Sequence, residues 1–473
     1  MTNETILTKD QEAAYSGLIN FMTAPFNESD YKRALIGAAG SGKTFLIRSL
    51  IKDCSIAYSQ IGLSAPTHKA TRVLQENVKE ITPHTLQSDL GLRLNFNVED
   101  FDYNNPPFDP KGKIKIQNYK IYIVDEASMI NKSLCMFLEN ICKQMKCKLI
   151  YIGDGSQLAP VKETKSFAFN STKSFKLTQI VRQGENNPIS EILEILRNDI
   201  EHKTFKFLEY ITKHPYKYNS DGTKGYSVMN KQDFKQLIST KFSDTEFKND
   251  TSFTKVIAYT NICVSNWNKF IRNSIIPESN KCIITKDDLF ISYVTIVNTF
   301  NECIIKNSEE YIVHDIVNYV HPTYNIKGFM VRFTSLYGGA ITQPLFILDH
   351  SDRTSLLNYV NASKALIDDA IKAKSINKTN KWKTYYDFKE SCLLLINIAN
   401  NFGKILYPRN LDYGFSMTSH KSQGSTFDTV FVDVNDMLFD KNGMRYTNVE
   451  EINRRLYVAC SRAKNNLYLQ YGI

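Results

Sequence analysis

Four short apolar runs, ALIG (34–37), IGLSAPT (61–67), IYIVDE (121–126) and KLIYIGD (148–154), recur within the first 160 residues. Each has strand length, ends in polar or acidic residues, and gives way to a helix-period pattern. This alternation predicts a parallel sheet covered by helices, with functional groups at the carboxyl ends of its strands. A second set, KVIAYTN (255–261), TVFVDV (429–434) and NLYLQYG (466–472), predicts another α/β unit assembled from non-contiguous segments. Two such units would face each other across a cleft.

The pattern breaks twice. Between residues 88 and 117 lies RLNFNVEDFDYNNPPFDPKGK, with three prolines and the aromatics Phe96, Phe101, Tyr103 and Phe108. An inserted β-hairpin with aromatic residues near its tip and an irregular surface loop both fit this composition. Residues 285–399 alternate in strand fashion through GFMVRFTSLYG and then turn helical through TSLLNYVNASKALIDDAIKAK, which predicts a small β-barrel with a helical appendage. In that appendage Trp382 reads as a packing anchor. Internal repeats and low-complexity tracts are absent, which removes solenoid and disordered classes.

Composition narrows the class. A chain of 473 residues exceeds what one core supports, so more than one domain is expected. The formal charge of +9 suits a polyanionic partner, and a diffuse solvating charge explains it as well. Nine cysteines without a CxxC pair read as reduced thiols rather than zinc ligands. The N-terminal residues lack a signal-peptide pattern, and the apolar run LLLINIA (393–399) is too short to span a bilayer. The expectation is a soluble, cytoplasmic protein.

The sharpest chemistry is GAAGSGKT at 37–44, which fits GxxxxGK[ST] and lies between the strand RALIG and the helix TFLIRSLI. Such a loop curls backbone N–H groups of Gly37, Ala39, Gly40, Ser41 and Gly42 around phosphate at a positive helix end. Lys43 reaches the β and γ oxygens, and the Thr44 hydroxyl meets Mg²⁺. Asp125 would hold the metal and Glu126 would orient and deprotonate the attacking water. Gln157 in GDGSQLAPV either senses the γ-phosphate or belongs to an ordinary polar turn. Gln11 in LTKDQEAA either contacts adenine or completes a capping box with Thr8. Cleavage of a phosphoanhydride also needs positive charge on the developing oxygens, for which Arg182 in LTQIVRQ and Arg462 in RRLYVACSRAK are the candidates.

Taken in order, LTKDQ, GAAGSGKT, APTHKA, PHTL, IVDEASM, GDGSQLAPV, LTQIVRQ, AYTNICVSNWNKFIR, TSHKSQGSTFD and LYVACSRAK resemble the motifs of superfamily 1 helicases of the 5′-to-3′ branch. The resemblance implies an α/β fold of two RecA-like parallel-sheet domains, at 1–185 and at 186–284 with 400–473. It implies an inserted hairpin at 88–117 that splits duplex, and a barrel with a helical extension at 285–399 that closes over DNA. ATP with Mg²⁺ would bind between the RecA-like domains. By the same resemblance Pro66, Thr67, His68, His84 and Thr85 would hold single-stranded DNA in the first domain, and Thr418, His420 and Lys421 in the second. Gln423, Gly424 and Ser425 would face the γ-phosphate.

Contacts of this kind carry no sequence information and suit a motor that walks on any strand. The implied partners are single-stranded DNA and duplex junctions, with single-stranded-DNA-binding or replication proteins beside them, and the implied state is a monomer. Three other readings share part of these features: an RNA helicase of the same superfamily, a P-loop small-molecule kinase, and an ATP-operated switch without turnover.

Overall fold

The computed structural model describes residues 7–93, 101–109, 112–160, 163, 166–170, 173–179, 187–277, 279–298 and 302–472. They divide into two compact units. One comprises Met1–Ile238, Ser252–Val264 and Met417–Ile473, the other Ser239–Thr251 and Ser265–Ser416.

The first unit contains two sheets. Strands β1 (Lys32–Gly37), β2 (Ile61–Ala65), β3 (His84–Thr85), β4 (Ile121–Val124), β5 (Lys148–Gly153) and β6 (Ser174–Leu177) form the first, in the order β3, β2, β4, β5, β1, β6. Every neighbouring pair in it is parallel. Central strands β2, β4 and β5 are buried at every position, as expected when helices cover both faces, while edge strand β6 is mostly uncovered. Helices α1 (Lys9–Thr23), α2 (Lys43–Asp53) and α3 (His68–Asn77) contribute Leu18, Phe21, Leu46, Leu50 and Leu74 to one core that also holds Leu35, Leu63 and Ile123 of the sheet.

The second sheet is built from non-contiguous segments. It runs Ser416–Thr418, β9 (Thr254–Ala258), Phe427–Asp433, Ala463–Gln470, β8 (Gly225–Met229) and β7 (Tyr216–Tyr218). From β9 to β8 its neighbours are parallel, and β7 joins β8 antiparallel. All three apolar runs of the second expected set lie in this sheet, so the α/β class with two parallel-sheet halves holds.

The inserted segment of the first sheet has an antiparallel stem. Leu92 bridges Phe108, Arg93 N–H donates to Pro107 O at 2.9 Å, and Asp109 N–H donates to Gly91 O at 3.0 Å. Its aromatics gather on Phe137 of the helix Lys132–Gln144, with ring centroids 5.1 Å (Phe101), 6.0 Å (Tyr103) and 5.8 Å (Phe108) away. Phe101 is buried in the core, so it serves packing, while Tyr103 and Phe108 keep exposed surface. Phe96 lies outside the described residues.

The other unit is an antiparallel five-stranded sheet in the order Leu345–Leu348, Ile326–Ser335, Glu310–His321, Leu289–Ser292, Leu411–Tyr413. Phe290, Val313, Val331, Phe333 and Leu411 fill its core. Helices Arg353–Lys372 and Ser375–Ser391 follow, and Phe388 of the second packs with Tyr359 of the first. Trp382 contacts Tyr385 and Tyr386 of its own helix, in keeping with a packing role. All nine cysteines are free thiols. Among the described residues no helix is long and apolar enough to cross a membrane.

One buried cation ties the first sheet to its first helix. Lys148 opens β5 and donates from Nζ to Phe21 O at 2.6 Å and Met22 O at 3.1 Å, and also to Ala24 O. These carbonyls close α1, whose C-terminal end carries the negative pole of the helix dipole. Replacing Lys148 with Met keeps the bulk and strands those acceptors, so the first unfolding transition should lose about 1–3 kcal/mol. Calorimetry on Lys148→Met checks this, and an unchanged midpoint contradicts it.

Candidate functional site

The phosphate-loop residues leave the carboxyl end of β1 and enter α2 with the backbone conformations the pattern demands. Gly40 and Gly42 have φ of 84° and 85°, in the left-handed region where side chains are strained. A Cβ at Gly42 would also lie 2.4 Å from Gln11 Nε2, so the Gln11 amide would have to shift. Gly42 caps α2 without a side chain, so the first-turn N–H groups stay turned toward the loop. Ser41 is fully buried and its Oγ has no hydrogen-bond partner, which leaves a hydroxyl available inside the cradle. Lys43 Nζ donates to Gly37 O (2.7 Å) and Ala38 O (3.0 Å), lying across the loop. Ala39 and Thr44 remain partly accessible.

Gln11 does two things at once. Its Oε1 accepts from Thr8 N–H at 3.0 Å and its backbone N–H donates to Thr8 Oγ1 at 3.3 Å, which completes the capping box. Its Nε2 then donates to Ser41 O at 3.0 Å. The cap therefore aims the amide at the phosphate loop.

Asp125 and Glu126 follow β4, two strands from β1 in the same sheet. Asp125 Oδ1 accepts from Glu126 N–H at 2.8 Å, which leaves Oδ2 for another partner. Burial raises its pKa, against the Glu126 amide and the charge of Lys43. Glu126 occupies the left-handed region at φ 51°, a strained conformation for a non-glycine residue that re-aims its side chain at the strand end. Burial first, then repulsion from Asp125, pushes the Glu126 carboxyl up to about 7, with Asp154 adding to the rise; Arg462 and Lys43 pull against it. Glu126 thus feels cations from two sheets.

Arg462 lies just before the strand Ala463–Gln470, and its backbone O accepts from Phe427 N–H at 2.9 Å. The side chain is buried, with Nη1 donating to Ser425 O at 3.1 Å and Nη2 to Ser461 Oγ at 2.7 Å. Further contacts join the two sheets. Gln423 Nε2 donates to Gln157 Oε1 and to Leu158 O, each at 3.3 Å. Lys69 stands 5.0 Å over the Phe427 ring, and the Cα of Gly424, at φ 70°, presents its side-chain direction to Ala70. The site therefore unites the carboxyl edge of the first sheet with the amino edge of the strand that follows Arg462. Arg182 lies outside the described residues.

The residues expected on DNA in the first sheet occupy strand-to-helix turns, and Thr418, His420 and Lys421 lie at the turn between the strands Ser416–Thr418 and Phe427–Asp433. Pro66 is buried after β2, and Thr67 caps α3 through Oγ1, which accepts from Ala70 N–H at 3.2 Å. His68 opens that helix. Thr85 caps the turn Leu86–Asp89. His84 Nδ1 stands 3.3 Å from the carboxylate of the buried Asp89. Thr418 Oγ1 accepts from Lys421 N–H at 3.2 Å. His420 lines a cavity of about 460 Å³ with Tyr259, Glu451, Arg454 and Pro160; burial, with Arg455 nearby, lowers its pKa.

Sequence reasoning missed Asp89, Asp154, Arg454 and Tyr457. Asp154 sits inside GDGSQLAPV and Asp89 three residues beyond PHTL, neither with a spacing that marks it. The last two lie on the helix Val449–Cys460, where only the three-residue step between them hints at a shared face.

A carboxyl whose folded pKa stands near 7 and whose ordinary value is 4.5 costs stability once pH rises above the ordinary value, and the full cost applies above the folded value. Glu126→Gln should therefore raise the melting midpoint at pH 8, with the gain shrinking toward pH 5. Scanning calorimetry at the two pH values reads this; an equal or lower midpoint at pH 8 contradicts it.

Comparison with known proteins gives two family matches: the AAA domain over residues 10–211 and the UvrD-like helicase C-terminal domain over residues 413–470. An uncharacterized protein of Acanthamoeba polyphaga mimivirus is 23% identical over 518 residues, spanning 97% of this chain and 98% of that one. The ATP-dependent DNA helicase Pif1 of Bdellovibrio bacteriovorus is 25% identical over 230 residues, covering 45% of this chain and 50% of its own. The crystal structure of the Pif1 helicase from Candida albicans aligns with 99% of this chain and 95% of its own, at 18% identity and a TM-score of 0.48.

Proposed function

We propose that this chain, which is similar to the Pif1-like and UvrD-like superfamily 1 helicases, works as an ATP-dependent DNA helicase that moves along single-stranded DNA and unwinds duplex. The observation that carries the reading is the contact of the two parallel sheets beside the phosphate loop, where Gln423 of the second donates to Gln157 and Leu158 of the first at 3.3 Å, and the charges of Lys43 and Arg462 both act on Glu126. A kinase or a passive switch gives no reason for a cation delivered by a second parallel sheet.

In this reading the phosphate loop from Gly37 to Gly42, with Ala39, Gly40 and Ser41, takes the β-phosphate on its N–H groups. Lys43 leaves the Gly37 and Ala38 carbonyls for the β and γ oxygens. Gln11, already aimed at Ser41, borders the adenine side. Thr44 and the Oδ2 of Asp125 are hard oxygen donors of the kind Mg²⁺ accepts, and the ion would supply charge neutralisation at the phosphates. Glu126 takes the proton of the attacking water, a task for which a carboxyl poised near neutrality is suited. Gln157 and Gly424 face the γ-phosphate, and Arg462, with Arg182, stabilises the charge that develops on it.

Pro66, Thr67, His68, His84 and Thr85 hold the DNA backbone on the first sheet, and Thr418, His420 and Lys421 on the second. Closure of the cleft on ATP and reopening after hydrolysis would alternate the two grips, advancing about one nucleotide per cycle. The order and wording of the motifs are further similar to the Dda helicase of T-even bacteriophages, which supports 5′-to-3′ movement by a monomer. The partners are single-stranded DNA, duplex junctions and the single-stranded-DNA-binding or replication proteins found there.

Lys43→Ala should lower DNA-stimulated ATP turnover and strand displacement together, each by at least about a hundred-fold. Unwinding that survives this change removes the site assignment. Strand displacement on duplexes with a 5′ or a 3′ tail should proceed from the 5′ tail. Activity from the 3′ tail alone overturns the polarity, and equal ATPase stimulation by RNA overturns the preference for DNA.

A further inference from the structure

The turn that carries Gln157 is closed by a carboxylate with two duties. Asp154 Oδ1 accepts from Ser156 N–H at 2.9 Å within the turn, and the Asp154 carbonyl accepts from Gln157 N–H at 3.2 Å. Its other oxygen, Oδ2, accepts the buried Tyr457 hydroxyl at 2.7 Å from the helix Val449–Cys460. One helical turn earlier, Arg454 Nη1 donates to Gly155 O at 2.6 Å and to Gln157 O at 2.8 Å. Glu450 braces Arg454 at 3.1 Å. Residues 450, 454 and 457 are four and three positions apart, so they form one stripe on one helix face.

The same helix leads directly into Arg462. Docking of one stripe therefore fixes the Gln157 backbone and delivers the arginine in a single movement. The side chain of Gln157 is oriented as well, because Gln423 Nε2 donates to its Oε1 and so fixes which way the amide is turned. An amide so turned suits a phosphate oxygen.

We infer that Tyr457 and Arg454 are positioning residues, which hold the 154–158 turn and its Gln157 in hydrolytic register from the second sheet. The inference rests on the proposed role of Gln157 in ATP hydrolysis. It makes turnover, rather than nucleotide affinity, depend on the docked helix.

Steady-state ATPase with and without single-stranded DNA tests it in Tyr457→Phe, Asp154→Asn, their double variant and Arg454→Lys. Tyr457→Phe keeps the ring and loses only the hydroxyl. Its DNA-stimulated kcat should fall about ten-fold, as expected for loss of one charge-assisted hydrogen bond, with KM for ATP changed less than about two-fold. The double variant should be no slower than Asp154→Asn alone, because both changes remove one interaction. Arg454→Lys, at a partly exposed side chain, should show the same fall in kcat at constant KM and covers the case in which Tyr457→Phe does not fold.

Unchanged kcat in folded Tyr457→Phe or Arg454→Lys overturns the inference, as do losses that multiply in the double variant. A wild-type protein whose ATPase ignores single-stranded DNA strikes the helicase reading instead.

Discussion

The structure turns on one half-covered carboxylate at the end of a buried strand. Glu126 is held in a left-handed backbone conformation beside a second acid, in surroundings that disfavour its charge. Two cations oppose that effect, and they come from different sheets: Lys43 from the loop after β1, and Arg462 from the segment before the strand Ala463–Gln470 of the second sheet. In the proposed mechanism, a centre that draws charge from both sheets depends on their docking. Strain and desolvation stored at such a point are the usual cost of a reactive group.

Around this centre the contacts between the sheets are polar and few in kind. Amide meets amide at Gln157 and Gln423, phenol meets carboxylate at Asp154 and Tyr457, and guanidinium meets backbone carbonyl at Arg454. Polar contacts of this sort fix geometry and can be exchanged for water without exposing a large apolar face, which fits an interface that opens and closes. The residues proposed to hold DNA follow another logic. Those of the first sheet cluster at helix starts, where Thr67 and Thr85 cap the turns with their hydroxyls and His84 stands 3.3 Å from a buried aspartate. Sequence-independent grip needs such preset donors rather than base-reading side chains.

Much of the sheet architecture was legible in the chain, because buried parallel strands such as β4 and β5 are continuous apolar runs that end in acids. The phosphate loop was legible because Gly40 and Gly42 adopt a left-handed backbone conformation that favours glycine. Strands β3 and β6 were not, since one has two residues and the other is an uncovered edge. Gln11 resisted a single reading because its cap and its contact to the loop use different atoms of one amide. Asp154, Arg454 and Tyr457 escaped because their partners lie about 300 residues away in the chain, and such a pairing leaves no local period. The aromatics of the inserted hairpin were seen as a group, but their convergence on Phe137 depends on a helix that no spacing connects to them.

The most direct test of the two-sheet site is single-turnover ATP hydrolysis by Arg462→Lys in the presence of single-stranded DNA, with nucleotide affinity measured alongside. Lysine keeps the charge and loses the planar fork, so hydrolysis should slow by about a thousand-fold while the ATP Kd stays within a few-fold of the wild type. Hydrolysis at the wild-type rate would contradict the claim that the second sheet completes the catalytic centre.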